Sequence, residues 1–448
     1  MVWEDGGREA PSYPIKIRRH FDFSGARWCN ARMRWTDPDA RPCLTADLPG
    51  TGGILKRFNE DFQVDEIPLY EPSGAGTHTY FVIEKNGVTT WQAVQNVARA
   101  LRRNPRDIGY AGMKDAHAVT RQMLSLEHVE PAEVERVALP RIRILRVNRH
   151  TNKIKLGHLR GNRFDIRVRE AGHDGAARAH DVLSVLVRRG VPNYFGEQRF
   201  GTHGDNALVG LALVQDRYDE AVARICGRPD PLDTGDIRGA RELFDRGDYE
   251  AAARAWPGSS REQQRLCEAM RRTGGEARRA WRSVDRKLER LYVSALQSEL
   301  FNRVLAARLD RIDRLHDGDA AWKHDNGAVF LVENAATEQP RCDAFEISPS
   351  GPLFGRKMKP ARGLPGQVEA DVLTEAGLSP DELARDRRLT GGRRSLRFRP
   401  RDTAVEAGVD ERGPYLRVAF TLESGCYATT VMREICKSDP RDDGPSAR

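Results

Sequence analysis

Hydrophobic alternation with a period of two occurs in two separated parts of this chain, and the long stretch between them follows helical spacing instead. Strand-like runs such as Phe62-Gln63-Val64-Asp65-Glu66-Ile67 and Thr79-Tyr80-Phe81-Val82-Ile83-Glu84 fall between Ile54 and Ile83. Ile142, Ile144 and Val147 form another, Ile154 and Leu156 a further one, and Phe164, Ile166 and Val168 alternate with Asp165, Arg167 and Arg169. The pattern returns only at Leu416, Val418, Phe420 and Leu422. From 206 to 310 the chain is rich in Ala, Arg, Leu and Glu, with almost no β-branched runs. A sheet begun early and resumed late means that the C-terminus completes the first domain and the middle of the chain is inserted into it.

Helical spacing fills in the rest. Val94, Val97, Ala98 and Leu101 follow Thr90 at helical intervals and stop at Asn104-Pro105. Residues 176–189 read as a second helix ending at Gly190, 284–309 as a long one carrying Leu288, Leu291, Tyr292, Ala295, Leu296 and Leu300, and Ala428 to Lys437 as the last. Strands with one charged face are antiparallel strands with one wet side. The expected fold is therefore α+β, a mixed/antiparallel sheet carrying helices, with a large, mostly helical α+β insertion. The expected divisions are an N-terminal extension over 1–43, a first domain over 44–198 and 392–438, the insertion over 199–391 and a flexible tail over 439–448.

At 448 residues the chain exceeds the roughly 100–200 residues of an ordinary domain, in keeping with that division. No apolar run approaches the ~20 residues of a membrane span and no signal-peptide core is present, so a soluble cytoplasmic protein is expected. Seven cysteines, at 29, 43, 226, 267, 342, 426 and 436, include no Cys-x-x-Cys pair and support neither a disulfide framework nor a structural zinc site. The net charge is +8, and Arg far outnumbers Lys. Guanidinium forks grip phosphates, so an anionic polymer is a plausible partner.

The chemistry concentrates in Gly109 to Gln122, where a strand-like run ends in Gly112 and delivers Lys114 and Asp115 into a polar turn. A carboxylate at a strand end, after a glycine that permits a tight turn, can attack an electrophilic carbon or collect a proton; alone it reads far more readily as a turn- or helix-capping Asp. Phe164 reads as core or as an aromatic platform, Lys56 as a solvated strand lysine or a site residue, and His117 as a turn residue or a phosphate contact. Gly351 to Lys357 invites a phosphate-loop reading. It lacks the Gly-Lys-Ser/Thr ending and a preceding strand, so no nucleotide cofactor is expected.

Taken together, Gly112-Met113-Lys114-Asp115 to Gln122, Gly52-Gly53-Ile54-Leu55-Lys56 with Asp61 to Glu66, Gly161-Asn162-Arg163-Phe164, Asn193 to Gly201, and Ser424 to Glu434 resemble the signature of the TruD family of tRNA pseudouridine synthases. The resemblance spans about 50–437, loosely over the insertion, whose length and Ser348 to Met358 segment resemble the longer archaeal and eukaryotic members. It implies isomerisation of uridine in tRNA, by default uridine 13 of the D arm, with Asp115 as nucleophile or base. Lys56, Asn162 and Phe164 would bind the substrate, with Glu66, Lys114 and Arg433 in support. The reaction calls for no cofactor and no metal; tRNA is the implied partner, and the oligomeric state is not indicated. Two rivals remain from the sequence: a non-catalytic RNA-binding or chaperone protein with the same fold, and a base-removing glycosylase.

Overall fold

The computed structural model describes residues 41–437; most of the expected N-terminal extension, and the expected tail, lie outside the described residues. The described chain divides into two compact units, one of 45–191 and 399–437, the other of 41–44 and 192–398. No helix among the described residues is long and apolar enough to cross a membrane.

The first unit is built on one eight-stranded sheet: β1 (Phe62–Pro68), β2 (His78–Asn86), β3 (Gly109–Tyr110), β4 (Val119–Glu127), β5 (Ile142–His150), β6 (Leu159–Arg169), β7 (Arg401–Asp410) and β8 (Gly413–Glu423). The order across it is β7-β8-β6-β1-β4-β2-β5, with β3 paired to β4. β1 and β4 run parallel and every other pair is antiparallel, so the sheet is mixed, as the alternation implied. The C-terminal strands pair directly with β6, Phe420 opposite Phe164 and Val418 opposite Ile166.

Register puts the two faces to different uses. On one face, Val64, Phe164 and Phe420 stand side by side, and Ile83, Phe81, Leu124 and Leu126 continue the apolar surface under α1 (Thr90–Ala100). The opposite face carries the cross-strand ion-pair rows Asp65–Arg121–Glu84–Arg143 and Asp165–Arg417–Glu406. α1 begins where Thr89 and Gln92 cap each other reciprocally. α2 (Gly175–Arg189) packs on β7 and β8 and against α3 (Ala428–Cys436). β1 lies between the strands covered by α1 and those on which α2 packs.

The second unit is mostly helical, as its composition implied. Its longest helix, Arg286–Ala307, packs on helix Asn206–Val214 and on strand Ile347–Leu353. That strand is the centre of a four-stranded sheet with Gly392–Ser395, Ala320–Lys323 and Val329–Leu331.

One local expectation differs from the structure, and two other segments take definite places in it. Ile154 and Leu156 lie in a loop, with Ile154 buried against Tyr80, Ala111 and Met123, so their spacing reflects packing and not pairing. Gly351, where a phosphate-loop reading is set aside on sequence grounds, belongs to a strand and lies against Phe301 and Leu396. Arg401–Asp410 is an edge strand that carries no alternation because most of its residues are exposed.

Candidate active site

Lys56 is positioned by the far ends of the chain. The amide of Thr51 donates to the Ile435 carbonyl at 2.9 Å and that of Gly52 to Cys436 at 3.1 Å, so the glycine-rich segment hangs from the end of α3. Ile54 then exchanges two backbone bonds with Arg169 at the end of β6, 2.7 and 2.9 Å. Gly53 has φ +96°, and a Cβ there would stand 2.5 Å from Val168 Cγ1; no other residue fits. Lys56 itself takes a left-handed φ of +55°, uncommon for a residue with a side chain. The turn places its ammonium 4.7 Å above the Phe62 ring and in direct contact with the Asp115 carboxylate.

The Asp115 loop, between β3 and β4, is held by side chains from three elements. Thr90, at the start of α1, accepts from the Lys114 amide at 2.8 Å and donates to Gln122 Oε1 at 2.9 Å. Gln122 in turn donates to the Gly112 carbonyl at 3.2 Å. Gly112 is not left-handed here, contrary to the tight-turn expectation; a Cβ on it would lie 3.2 Å from Lys114 Nζ. Lys85 reaches up from β2, fully buried, and donates to the carbonyls of Asp115 and Val88, both at 2.7 Å. The backbone is thus fixed while 31% of the Asp115 side chain stays open.

The charges around that carboxylate oppose one another. Burial raises the Asp115 pKa, but the Lys56 ammonium and the amide of His117, 3.0 Å from Oδ1, outweigh it and hold the group below the usual aspartate value. An ionised carboxylate is what nucleophilic or basic chemistry requires. Burial also pulls Lys85 down to about 8, against the attraction of Asp115 and with the repulsion of Lys114. Lys114 turns away from the carboxylate and pairs with Glu66 at 2.6 Å. It therefore braces the loop from below.

Asn162 and Phe164 lie on the same sheet face. Asn162 is opposite Glu66 on β1, and its Oδ1 is buried with no hydrogen-bond partner among the described residues. Phe164 packs between Phe62 (centroids 6.2 Å apart) and Phe420 (5.5 Å), and only 8% of it is exposed. The sequence-based site residues Lys56, Glu66, Lys114, Asp115, Asn162 and Phe164 therefore converge over β1. Arg433 sits half-buried in the last turn of α3 and is not among the leading charges acting on Asp115. Sequence reasoning passed over Lys85 and Phe62, although both are in phase with the buried face of their strands. No cluster of three or more His, Cys, Asp or Glu among the described residues is placed to hold a metal ion.

Comparison with known proteins places this geometry in context. The family profile described as tRNA pseudouridine synthase D (TruD) matches residues 41–435. A protein of Geobacter metallireducens named tRNA pseudouridine synthase D is 47% identical over 401 residues, 89% of this chain and 98% of that one. Its namesake in Geobacter sulfurreducens is 48% identical over 396 residues, 88% of this chain and 96% of the relative. A crystal structure from Methanosarcina mazei, described as a TruD protein, superimposes with a TM-score of 0.81 at 26% identity, covering 91% of this chain and 98% of that one. The long middle region is thus shared with bacterial relatives as well as with the archaeal structure.

Proposed function

The chain belongs to the TruD family of tRNA pseudouridine synthases, and from that premise we propose that Asp115 is the residue that carries the isomerisation and that uridine 13 of the tRNA D arm is its target. The observation that carries the reading is the Lys56–Asp115 contact: a carboxylate kept ionised in a mostly buried setting and left partly open over an apolar floor.

The reaction breaks the C1′–N1 bond of uridine, turns the base and joins C5 to C1′; the C5 proton is lost and N1 takes one up. Asp115 either attacks C1′ to give a ribosyl ester or removes the 2′ proton to give a glycal, and both routes begin from the ionised carboxylate. Lys56 keeps it so. A uridine inside a folded tRNA must first leave its stack, which costs a few kcal/mol. Asn162, whose buried oxygen has no partner among the described residues, accepts from the N3–H of the extruded base, and the exposed rim of Phe164 supports its ring. Glu66 and Lys114 brace the loop. The arginine-rich second unit supplies further phosphate contacts to the tRNA body.

The test is pseudouridine mapping at single-nucleotide resolution, in tRNA from cells with and without the gene and in transcripts treated with purified protein. Gene-dependent signal at position 13 is expected. Signal confined to another position would overturn the target, and abasic RNA in place of pseudouridine would overturn the isomerisation.

A further inference from the structure

A recess opens beside the Asp115 loop. Asn59, Asn86, Gly87, His117 and Arg141 line it, and its volume is about 460 Å³. Four segments of the chain build it: the turn entering β1, the turn leaving β2, the Asp115 loop between β3 and β4, and the residue that leads into β5. His117 belongs at once to this recess and to the active site, because its amide is bonded to the Asp115 carboxylate.

The lining has a consistent chemistry. The side chains of Arg141 and His117 have no hydrogen bond or ion pair among the described residues, whereas neighbouring arginines of the same unit are engaged: Arg121 with Asp65 and Glu84, Arg143 with Glu84, Arg149 with Glu130. Asn59 donates to Asn86 at 2.8 Å, and Asn86 to Glu60 at 2.8 Å. Glu60, the carboxylate behind this pair, is taken up by Arg412 at 2.7 Å. Gly87 has φ +68°, and a Cβ on it would fall 2.7 Å from Asn59 Nδ2 and 3.9 Å from Arg141 Nη1. The glycine keeps open the space that the guanidinium borders.

An arginine, a histidine and two side-chain amides, with no carboxylate in the lining, favour an anion there. We propose that this recess takes an RNA phosphodiester adjoining the uridine held at Asp115, with Arg141 and His117 as its contacts. The proposal rests on the reading of Asp115 given above. A phosphate seated here would fix the strand on one side of the extruded nucleotide, and so orient C1′ toward the carboxylate.

Phosphate-ethylation interference tests it, with affinity as the readout, so it reports even if no turnover is seen. A pool of tRNA ethylated once per molecule is partitioned by binding to the wild type, to Arg141→Asn and to Arg141→Lys. Asparagine is chosen because it tolerates the left-handed φ of +63° at this position. For Arg141→Asn, affinity should fall roughly tenfold and the salt slope by about one. Arg141→Lys should lie between, keeping the charge without the fork. One phosphate next to the isomerised uridine should interfere with wild-type binding and cease to interfere in Arg141→Asn. Identical interference patterns in both proteins, or loss of a signal remote from that uridine, would overturn the proposal. Absence of pseudouridine with the pattern intact would instead strike the assignment of Asp115.

Discussion

Glu66 and Lys114 form an ion pair 2.6 Å long with only 2% and 5% of their side chains exposed, one residue away from the carboxylate on which the site depends. Such a pair adds little net stability, since desolvation offsets attraction; breaking it leaves a charge stranded. Glu66→Gln should therefore cost about 3–5 kcal/mol in chemical denaturation, while Glu66→Gln combined with Lys114→Met should recover much of that loss. Additive losses in the double variant would mean that the two side chains do not act as a pair.

Lys85 gives a pH signature. Its folded pKa, about 8, lies below the ordinary lysine value of 10.5, so between these values the unfolded chain binds more protons than the folded one. Stability from this group accordingly rises with pH across that window, by on the order of 3 kcal/mol in all. The stability of the wild type relative to Lys85→Met should increase by that order between about pH 7 and pH 10. A pH-independent difference would show that Lys85 is not a buried ammonium.

Lys56 opposes the burial that raises the Asp115 pKa. Removing it in Lys56→Met should move the acid limb of the single-turnover rate to higher pH, so that the variant is most impaired at acid pH and partly recovers toward neutrality. A uniform loss at every pH would assign Lys56 to substrate contact alone.

Phe164 is packed between two rings yet keeps an open rim. Phe164→Ala should lose about 3–5 kcal/mol of stability through the cavity it leaves, and Phe164→Leu no more than about 1–2 kcal/mol. If the rim supports the base, the leucine variant should still lose about tenfold or more in single-turnover rate, since stacking contributes roughly 1–3 kcal/mol. A leucine variant with wild-type rate would leave Phe164 in the core only.

Much of this was legible in the sequence, for reasons that separate residues clearly. Phe164, Ile166 and Val168 alternate with charges because β6 has one apolar and one ion-paired face, and the same pattern in β8 revealed that the C-terminus completes the sheet. The period-two rule held further than it was pressed. Lys85 is in phase with Phe81 and Ile83, Glu66 with Phe62 and Val64, and Asn162 with Phe164, so each polar residue stands on the buried face of its strand. A polar group there is costly unless paired, which marks it for function or bracing. Lys85 is hard to single out in the sequence because it directly follows the charged Glu84 at the end of the apolar run. The edge strand Arg401–Asp410 was hidden because both its faces are largely wet, and Ile154 was misread because a single buried loop residue imitates a strand. The recess at Arg141 depends on four segments distant in sequence, and no local spacing announces it.

The central claim is that the Asp115 carboxylate performs the chemistry, and single-turnover assay of Asp115→Asn on tRNA addresses it most directly. The substitution keeps shape and removes only the charge that Lys56 faces. The account predicts tRNA affinity close to that of the wild type and no detectable pseudouridine; isomerisation at an appreciable fraction of the wild-type rate would contradict it.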